Sequence, residues 1–449
     1  MHNWLPKLGE GGGPKYSVIA DAIAGAIRSG ELRPGQRLSP QREIAKRLGV
    51  DLTTVTRAYS LAREAGLIEG AGKLGSFVRN DVALPRFGET ASELGMNVPP
   101  QPAFNLLPEA IRTGTAALLR AGRHSPILQY QPSLGNLLDR RQAALAMEKR
   151  GMPTQAEQVV IAAGAQHALH GIVAATLKRG DRVCCARFIY PGMLSLARRY
   201  GLVLDPVETD TEGLLPDALG ARLRRGARHV YLTPTNDNPT TATMSHDRRL
   251  AIVTMAERHG AIIIEDDAYG LLPSSPVPPC AAIAPDRCWH VAGTSKIISP
   301  VLRVAHVRAP SAAHAAALAA DIGETAVMAP PLNAALVTLW LRDGTFDTLV
   351  AGVRAESVAR QRIAARHLAG LSYGADREGY HLWLRLPDRI DADRLVQHLG
   401  TAGLSIVSGT NFDVRRRGPA THVRISVGGA IDHAALDRAF AQLRADIGS

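Results

Sequence analysis

The sequence predicts an α/β protein made of a small helical N-terminal domain and a large domain whose mostly parallel sheet has helices on both faces. Residues 16–64 form three short runs with apolar residues at helical spacing. From about residue 103, strand-like apolar runs alternate instead with helix-like runs. Between them, residues 81–102 contain prolines and polar residues without a period. We therefore expect domains at 12–80 and 103–449, joined by a linker at 81–102.

The composition is that of an ordinary globular protein, with 449 residues of which 46% are hydrophobic. Its net charge of +11 favours polyanionic partners, although proteins that never meet nucleic acid also have such a balance. The four cysteines form no CxxC pair, so we expect neither disulfides nor a metal site. No apolar run reaches a membrane-spanning length and the first residues lack a signal core, so we expect a cytoplasmic protein without membrane contact.

The N-terminal domain has the pattern of a winged helix-turn-helix. Helical spacing predicts a first helix from Tyr16 to Arg28, a second over QREIAKRL, and a third that Asp51 caps. The second and third are joined by a short turn containing Gly49, as in a helix-turn-helix. The following LIEGAGKLGSFVRN is typical of two short strands around a glycine-rich tip, which is a wing.

Basic and hydroxyl side chains cluster on this pattern. Such residues contact phosphates and base edges, which makes double-stranded DNA a candidate partner. A three-helix bundle without a ligand is the alternative interpretation. The candidate DNA-binding residues are Arg42, Thr53, Thr54, Arg57 and Lys73.

Apolar runs predict six strands of the large domain. They lie at 159–164, 183–189, 230–235, 261–266, 289–293 and 304–309, with helix-like runs between them. No GxGxxG sequence follows a strand, so a dinucleotide site is not expected.

One lysine, Lys296 in AGTSKIISPVLR, follows the strand-like run that ends near 293, and Arg303 comes seven residues later. An amine forms a Schiff base only when it is deprotonated, so it needs a pocket and nearby cations that lower its pKa. Arg303 provides a cation and a fork for a phosphate. A solvated lysine at a strand end is the alternative.

Other strand ends also have chemistry. At Gly164, Ala165 and Gln166 a strand turns into a helix, whose N-terminal amides bind phosphate, although a simple tight turn also explains the glycine. Tyr190 follows a strand and is placed to cover an aromatic ring, or to be core. Asn238 precedes a proline, where its amide either donates to a phenolate or only shapes the turn.

Three acids leave a buried strand together in IIIEDDAYG. Burying a carboxylate is costly without a cation, and a protonated pyridine nitrogen is one such cation. We assign that partner role to Asp266, with Tyr269 facing the same ring from the loop. A solvated acidic strand end is the alternative.

The N-terminal residues PGQRLSPQREIAKRLGVDLTTVTRAY and GLIEGAGKLGSFV resemble the winged helix-turn-helix of the GntR regulators. Many members of that family have an arginine as the second residue of the third helix, where this chain has Leu52. The resemblance therefore implies DNA binding with a different base readout.

Residues from about 103 to 449 resemble the fold-type-I pyridoxal phosphate enzymes of the aspartate aminotransferase kind, which have a smaller C-terminal α/β subdomain. The resemblance implies that Lys296 is the Schiff-base lysine and Asp266 the partner of the pyridine nitrogen. It also places Asn238 and Tyr269 on the ring hydroxyl and Tyr190 on the ring face. The remaining implied contacts are Ala165, Gln166, Ser295 and Arg303 with the phosphate, Tyr130 with the phosphate of a neighbouring subunit, and Arg424 with a substrate carboxylate.

The role of Tyr130 implies a homodimer. Thr241 and Gly293 depart from the family, which commonly has glycine and serine there. A GntR-like winged helix fused to an aminotransferase-like domain is the arrangement of the MocR regulators, which implies a regulator that responds to pyridoxal 5'-phosphate or to an amino acid or amine. A working aminotransferase with a DNA-binding domain is the rival interpretation. A winged helix that serves only as an interaction module is a third.

Overall fold

The computed structural model describes residues 4–6, 14–28, 31–70, 75–79, 95–102, 105–120, 126–401, 403–415, 418 and 420–448. The chain divides into two compact units, Met1–Gly88 and Glu89–Ser449. Lys73 and most of the predicted linker lie outside the described residues.

The smaller unit has the predicted winged helix-turn-helix. Its elements are α1 (Lys15–Arg28), α2 (Gln41–Leu48), α3 (Leu52–Glu64), β1 (Ile68–Gly70) and β2 (Ser76–Val78). The two strands pair antiparallel. The three predicted helices and the two strands of the wing are thus confirmed.

Apolar side chains from all three helices hold this unit together. Ile23, Ile44 and Val55 are fully buried in one cluster. Gly49 ends α2 in the left-handed conformation, and Asp51 then caps α3 by accepting a hydrogen bond from the Thr53 backbone at 2.7 Å. The turn between the two helices is therefore set by residues that the sequence marks clearly.

The larger unit is built on a seven-stranded sheet. Its order is β3-β11-β10-β9-β8-β4-β5, parallel except for β11, which runs antiparallel to both neighbours. The strands are β3 (Val159–Ala162), β4 (Arg182–Cys185), β5 (Val203–Pro206), β8 (His229–Leu232), β9 (Ile262–Asp266), β10 (Cys288–Gly293) and β11 (Ala305–Arg308), and a separate hairpin joins β6 (Thr209–Asp210) to β7 (Gly213–Leu214).

All six predicted strands are present. The seventh, β5, was not predicted because it lies at the edge of the sheet, where Val203 is 42% exposed and no continuous apolar run is needed.

Helices cover both faces of this sheet. Alternate residues of β3 point into two different apolar clusters, with Val159 and Ile161 in one and Val160 and Ala162 in the other. The helices of the unit are α4 (Leu106–Leu119), α5 (Leu137–Glu148), α6 (Ala165–Thr176), α7 (Pro191–Tyr200), α8 (Pro216–Arg224), α9 (His246–Arg258), α10 (Cys280–Ile283), α11 (Ala312–Thr325), α12 (Pro331–Asp343), α13 (Thr345–Leu368), α14 (Ala392–Thr401) and α15 (His433–Gly448).

A second, antiparallel sheet lies in the C-terminal part. Its order is β12-β13-β15-β14, formed by β12 (Tyr373–Ala375), β13 (His381–Arg385), β14 (Ser405–Ser408) and β15 (His422–Ser426). Arg424 on the inner strand β15 lies between Trp383 and Val407 of the neighbouring strands. This sheet with its helices is the smaller C-terminal subdomain expected from the family.

Residues 95–102 differ from the predicted linker. Asn97 is only 2% exposed, and the carbonyl of Val98 accepts a hydrogen bond from the Gly429 amide at 3.0 Å. These residues therefore pack into the larger unit. They lack a periodic apolar pattern because they are extended and are held by backbone groups and one side-chain amide.

The remaining structural expectations concern cysteines, metals and membranes. All four cysteines are buried free thiols. Within the described ranges, no group of three or more metal-ligating side chains is present. None of the described helices is long and apolar enough to cross a membrane.

Candidate functional site

A cavity of about 680 Å³ lies in the larger unit near the carboxyl ends of β4, β8 and β10. Ligands of open α/β sheets bind at this edge of the parallel strands. Lys296, Asn238, Tyr190 and Arg424, which come from distant parts of the sequence, all line it. Asn97 lines it too.

Lys296 follows β10 in the short helical turn Thr294–Lys296. Its Nζ donates a hydrogen bond to the carbonyl of Asn97 at 2.5 Å. The pKa of Lys296 is lowered to about 8, mainly by burial and also by the positive charges of Arg424 and Arg303, while Asp266 opposes the shift. The lysine therefore has the pocket and the nearby cations that a reactive amine needs.

Asp266 ends β9 and is 4% exposed. Its Oδ2 accepts a hydrogen bond from the Tyr231 hydroxyl at 2.8 Å, while Oδ1 is buried and has no partner among the described residues. Burial raises the pKa of Asp266 to about 6, although Tyr231 and Lys296 counteract this. A cation placed against Oδ1 would restore the charged form.

The two acids beside Asp266 are engaged elsewhere. Oδ2 of Asp267 lies 2.8 Å from Arg150 and 3.0 Å from His290. Burial would raise the pKa of Asp267, but these two partners hold it well below its ordinary value. Both oxygens of Glu265 accept backbone hydrogen bonds at the start of α10. Oδ1 of Asp267 also lacks a partner among the described residues, but Arg150 already compensates the charge of this carboxylate, so the geometry favours Asp266 for a cationic ligand.

Tyr269 and Asn238 lie in loops that follow β9 and β8. The Tyr269 hydroxyl accepts a hydrogen bond from Asn97 Nδ2 at 2.8 Å, and burial raises the pKa of Tyr269 to about 12. Asn238 is 6% exposed and precedes a cis proline peptide bond. Its Oδ1 has no hydrogen-bond partner in the part of the chain that the structure describes.

Ala165 and Gln166 begin α6 directly after Gly164, so their amides lie at the positive end of a helix. Gly164 has a φ of 89°, and a Cβ there would lie 2.7 Å from Nη2 of Arg303. Arg303 also donates to the Ala163 carbonyl at 3.0 Å. The turn therefore requires glycine and brings Arg303 beside the helix end.

Two further buried polar atoms belong to Gln166, at the start of α6, and to Ser295, in the turn that follows β10. Oε1 of Gln166 and Oγ of Ser295 both lack a partner among the residues described. Nearby, a Cβ on Gly293 would lie 3.3 Å from Cβ of Ala165, which shows that Gly293 and Ala165 approach closely.

Arg424 is a buried cation without an acidic partner in the described structure. Nη2 donates to the Gly95 carbonyl at 2.7 Å, and Nε is buried without a partner in the part of the chain that the structure describes. The guanidinium lies 5.5 Å from the centre of the Phe412 ring. Burial lowers the pKa of Arg424 to about 10. A carboxylate ligand would neutralise this charge.

Tyr190 lines the cavity, whereas Tyr130 does not. Burial raises the pKa of Tyr190 to about 12. Tyr130 is 84% exposed. The role implied for Tyr130 in a neighbouring subunit stays a prediction.

The predicted DNA-binding residues differ in what they contact. Arg42 on α2 is exposed. The Thr53 hydroxyl donates to Asp51, Thr54 is half-buried, and Arg57 lies over the Tyr16 ring at 4.0 Å from its centre.

Comparison with known proteins decides the family. Residues 91–443 match the family described as "Aminotransferase class I and II", and residues 15–78 match "Bacterial regulatory proteins, gntR family". The chain belongs to the MocR branch of the GntR regulators.

Similar members of known name include the vitamin B6 salvage pathway transcriptional repressor PtsJ of Salmonella typhimurium. It is 30% identical, over 92% of this chain and 94% of PtsJ. The HTH-type pyridoxine biosynthesis transcriptional regulator PdxR of Corynebacterium glutamicum is 29% identical over 65% of each chain.

Solved structures show the fold of the larger unit. The kynurenine aminotransferase of Pyrococcus horikoshii aligns with a TM-score of 0.71 at 21% identity, covering 79% of this chain and 89% of that enzyme. The α-aminoadipate aminotransferase LysN of Thermus thermophilus aligns with a TM-score of 0.70 at 24% identity, covering 81% and 95%. The expected fold-type-I aminotransferase architecture is confirmed.

Thr241, Gly293 and Leu52 of this MocR protein differ from the residues that are common in the related families, and the structure shows the surroundings of each. Thr241 adopts the left-handed conformation with a φ of 66°, where glycine fits without strain. At Gly293, a serine would press on Ala165. Leu52 is the first residue of α3 and is 39% exposed.

Sequence reasoning missed Asn97. It lies in the predicted linker, yet its side chain and carbonyl contact Tyr269, Ser426 and Lys296. A single asparagine in a proline-rich stretch has no periodic signal that would mark it as part of the site.

Proposed function

We propose that this protein is a transcriptional regulator that binds promoter DNA through its winged helix and binds pyridoxal phosphate in the cavity of the larger unit. The observation that carries the proposal is a set of buried polar atoms without partners in the described structure. They are Gln166 Oε1, Asn238 Oδ1, Asp266 Oδ1 and Ser295 Oγ. Unsatisfied buried polar atoms cost free energy, and these four belong to residues at or just after the carboxyl ends of β3, β8, β9 and β10, which supports a polar ligand at this edge of the sheet.

These residues fit the cofactor. Lys296 would bind its aldehyde covalently, and the lowered pKa of about 8 leaves more of the amine neutral at physiological pH. Asp266 would pair with the pyridine nitrogen through Oδ1 and hold a proton there. When bound, the cofactor supplies an electron sink for chemistry on amino compounds.

The other assigned residues would position the ring and the phosphate. Asn238 and Tyr269 would bind the ring hydroxyl, and Tyr190 would cover one ring face. The phosphate would contact the α6 N-terminus and nearby side chains. Those contacts are Ala165, Gln166, Ser295 and Arg303, together with Tyr130 of a neighbouring subunit in a homodimer.

Arg424 would bind the carboxylate of an amino acid effector. It is buried, it has no acidic partner among the described residues, and Nε is unpaired. A carboxylate can accept two parallel hydrogen bonds from the Nε and Nη2 atoms of one guanidinium group. An amine effector without a carboxylate would leave Arg424 on its present backbone partner.

The regulatory half of the proposal is supported by the family and by the named functions of PtsJ and PdxR. Arg42, Arg57 and Lys73 would contact phosphates, and Thr53 and Thr54 would lie near base edges. A homodimer would present two winged helices to paired half-sites. An effector shifts DNA affinity only by its differential binding to two arrangements of the protein.

An active aminotransferase is the second candidate, because Lys296 and Arg424 line one cavity and Asp266 approaches Lys296 closely enough to affect its pKa. Repeated turnover with a keto-acid acceptor would favour this enzyme. DNA binding that changes with an amino compound, without turnover, favours the regulator.

The test of the cofactor assignment is the absorbance spectrum of purified protein incubated with pyridoxal phosphate. Wild type and Lys149→Ala, which alters an exposed lysine, should show the Schiff-base band. Lys296→Ala should lack it. The same band in Lys296→Ala would overturn the assignment.

A further inference from the structure

The backbone of residues 95–98 contacts two side chains that the proposed function assigns to ligands. Arg424 is assigned to the carboxylate of an amino acid effector, and Lys296 is assigned to the cofactor. The Gly95 carbonyl accepts a hydrogen bond from Arg424 Nη2 at 2.7 Å. The Asn97 carbonyl accepts one from Lys296 Nζ at 2.5 Å. The 95–98 segment thus binds Arg424 and Lys296, two of the cationic side chains that line the cavity, through backbone oxygens.

Specific contacts hold the 95–98 segment in place. Asn97 Nδ2 donates to the Tyr269 hydroxyl at 2.8 Å, and Asn97 Oδ1 accepts from Ser426 Oγ at 2.6 Å. The Gly429 amide donates to the Val98 carbonyl at 3.0 Å. Beside it, a Cβ on Gly428 would lie 1.8 Å from the Val98 oxygen, so glycine is required for this approach.

The ligands of the proposed function compete with these contacts. A carboxylate that takes the Nε and Nη2 edge of Arg424 competes with the Gly95 carbonyl, and a charged acceptor forms the stronger hydrogen bond. When Lys296 condenses with an aldehyde, a C=N bond replaces the C=O bond, and the two nitrogen hydrogens leave with the oxygen as water. The neutral product has no hydrogen left for the Asn97 carbonyl.

We propose that the 95–98 segment is an internal competitor of the effector, bound in the free site and displaced by an amino acid together with the cofactor. The chain continues N-terminally from Gly95 toward the winged helix through residues 80–94. Displacement of the 95–98 segment therefore releases the C-terminal end of the chain that links the winged helix to the larger unit. This provides the differential binding through which an effector changes DNA affinity. The inference rests on the proposed function.

The test compares wild type with three variants of the full chain. Ser426→Ala removes one anchor of Asn97 and also the acceptor of the Gly428 amide, and it keeps the Tyr269 hydrogen bond. Asn97→Ala removes both anchors of Asn97 and keeps the acceptor of the Gly428 amide. The control Ser357→Ala alters another buried serine, whose hydroxyl donates to the Val353 carbonyl in α13 and has no other hydrogen-bond partner among the described residues.

The first readout is hydrogen exchange of the Gly429 amide in the cofactor-free protein, since this amide is protected by Val98. Ser426→Ala should accelerate it by at least about 2- to 12-fold, the effect of losing the hydrogen bond to Asn97. Asn97→Ala should accelerate it more, and Ser357→Ala should match wild type. Equal exchange in all four proteins would overturn the inference.

The second readout is binding of pyridoxal phosphate with L-alanine as the probe amino acid. Ser426→Ala should bind this pair more tightly than Ser357→Ala, since less of the protein is in the competing state. Without ligand, the DNA affinity of Ser426→Ala should differ from that of wild type. The difference should have the same direction as the change that pyridoxal phosphate and L-alanine cause in the DNA affinity of wild type. Weaker ligand binding in Ser426→Ala would show that the segment supports the site and would overturn the inference.

Failure of the proposed function gives a different result. If wild type takes up no pyridoxal phosphate, the cofactor assignment falls. The exchange of Gly429 and the DNA affinity of the cofactor-free variants still decide whether the segment is a displaceable element.

Discussion

Replacing Arg424 by glutamine should raise the pKa of Lys296, whereas replacing Asp266 by asparagine should lower it. Arg424 disfavours a second positive charge in the cavity, and Asp266 favours one. The two substitutions therefore change the reactivity of one amine in opposite directions. Neither removes the lysine itself.

The size of the effect follows from the pKa of Lys296. At a pKa of about 8, roughly one tenth of the amine is neutral at pH 7. At the ordinary value of 10.5 the neutral fraction is about 300-fold smaller. Wild-type Lys296 should therefore capture pyridoxal phosphate with a rate that rises with pH and levels off above about pH 8.

The assay is stopped-flow absorbance of Schiff-base formation over a series of pH values, at a fixed concentration of pyridoxal phosphate. The midpoint should move to higher pH in Arg424→Gln and to lower pH in Asp266→Asn. Arg187→Gln is the matched control, since Arg187 pairs with Asp413 and does not contribute to the pKa of Lys296.

Two results would refute this reasoning. One is a wild-type midpoint near the ordinary lysine value, which would mean that the cavity does not desolvate the amine. The other is a shift of both variants in the same direction, which would mean that these side chains act through the fold and not through charge.

Two further predictions concern strain and DNA contacts. Thr241→Gly should be about 1 kcal/mol more stable than Thr241→Ala. Both variants lose the threonine side chain, but only glycine removes the cost of the left-handed conformation. Urea denaturation measures the difference, and equal midpoints would contradict this prediction. Arg42→Ala should weaken promoter binding and flatten its salt dependence at unchanged stability, whereas Arg57→Ala should also lose about 0.5–1 kcal/mol of stability with its contact to Tyr16. A salt titration on promoter and scrambled DNA, beside urea denaturation, checks both variants, and unchanged promoter affinity in Arg42→Ala would remove it from the DNA-binding residues.

The strand ends were predictable because buried parallel strands have strong apolar signals and the polar residues follow them directly. Lys296 after β10 and Asp266 at the end of β9 are both placed in this way. Arg424 could be placed only through the family resemblance. Its surroundings depend on the pairing of β15 with β13, although α14 and β14 lie between these two strands in the sequence.

The parts that sequence could not predict depend on tertiary contacts. Asn97 reaches the site because an extended segment packs against β15, and nothing local signals that packing. The preference for Asp266 over Asp267 as the partner of the pyridine nitrogen also depends on tertiary contacts. Arg150 and His290, which pair with Asp267, come from distant elements. The left-handed conformation of Thr241 could not be predicted either, because β-branched residues rarely adopt it.

The most direct test of the central claim is the affinity of the protein for the DNA upstream of its own gene, measured by fluorescence anisotropy with and without pyridoxal phosphate. Wild type should prefer this DNA over a scrambled sequence at moderate salt, and its affinity should change when the cofactor is added. Lys296→Ala should bind the same DNA without responding to the cofactor. No preference over scrambled DNA in wild type, or an unchanged cofactor response in Lys296→Ala, would contradict a regulator that senses pyridoxal phosphate through Lys296.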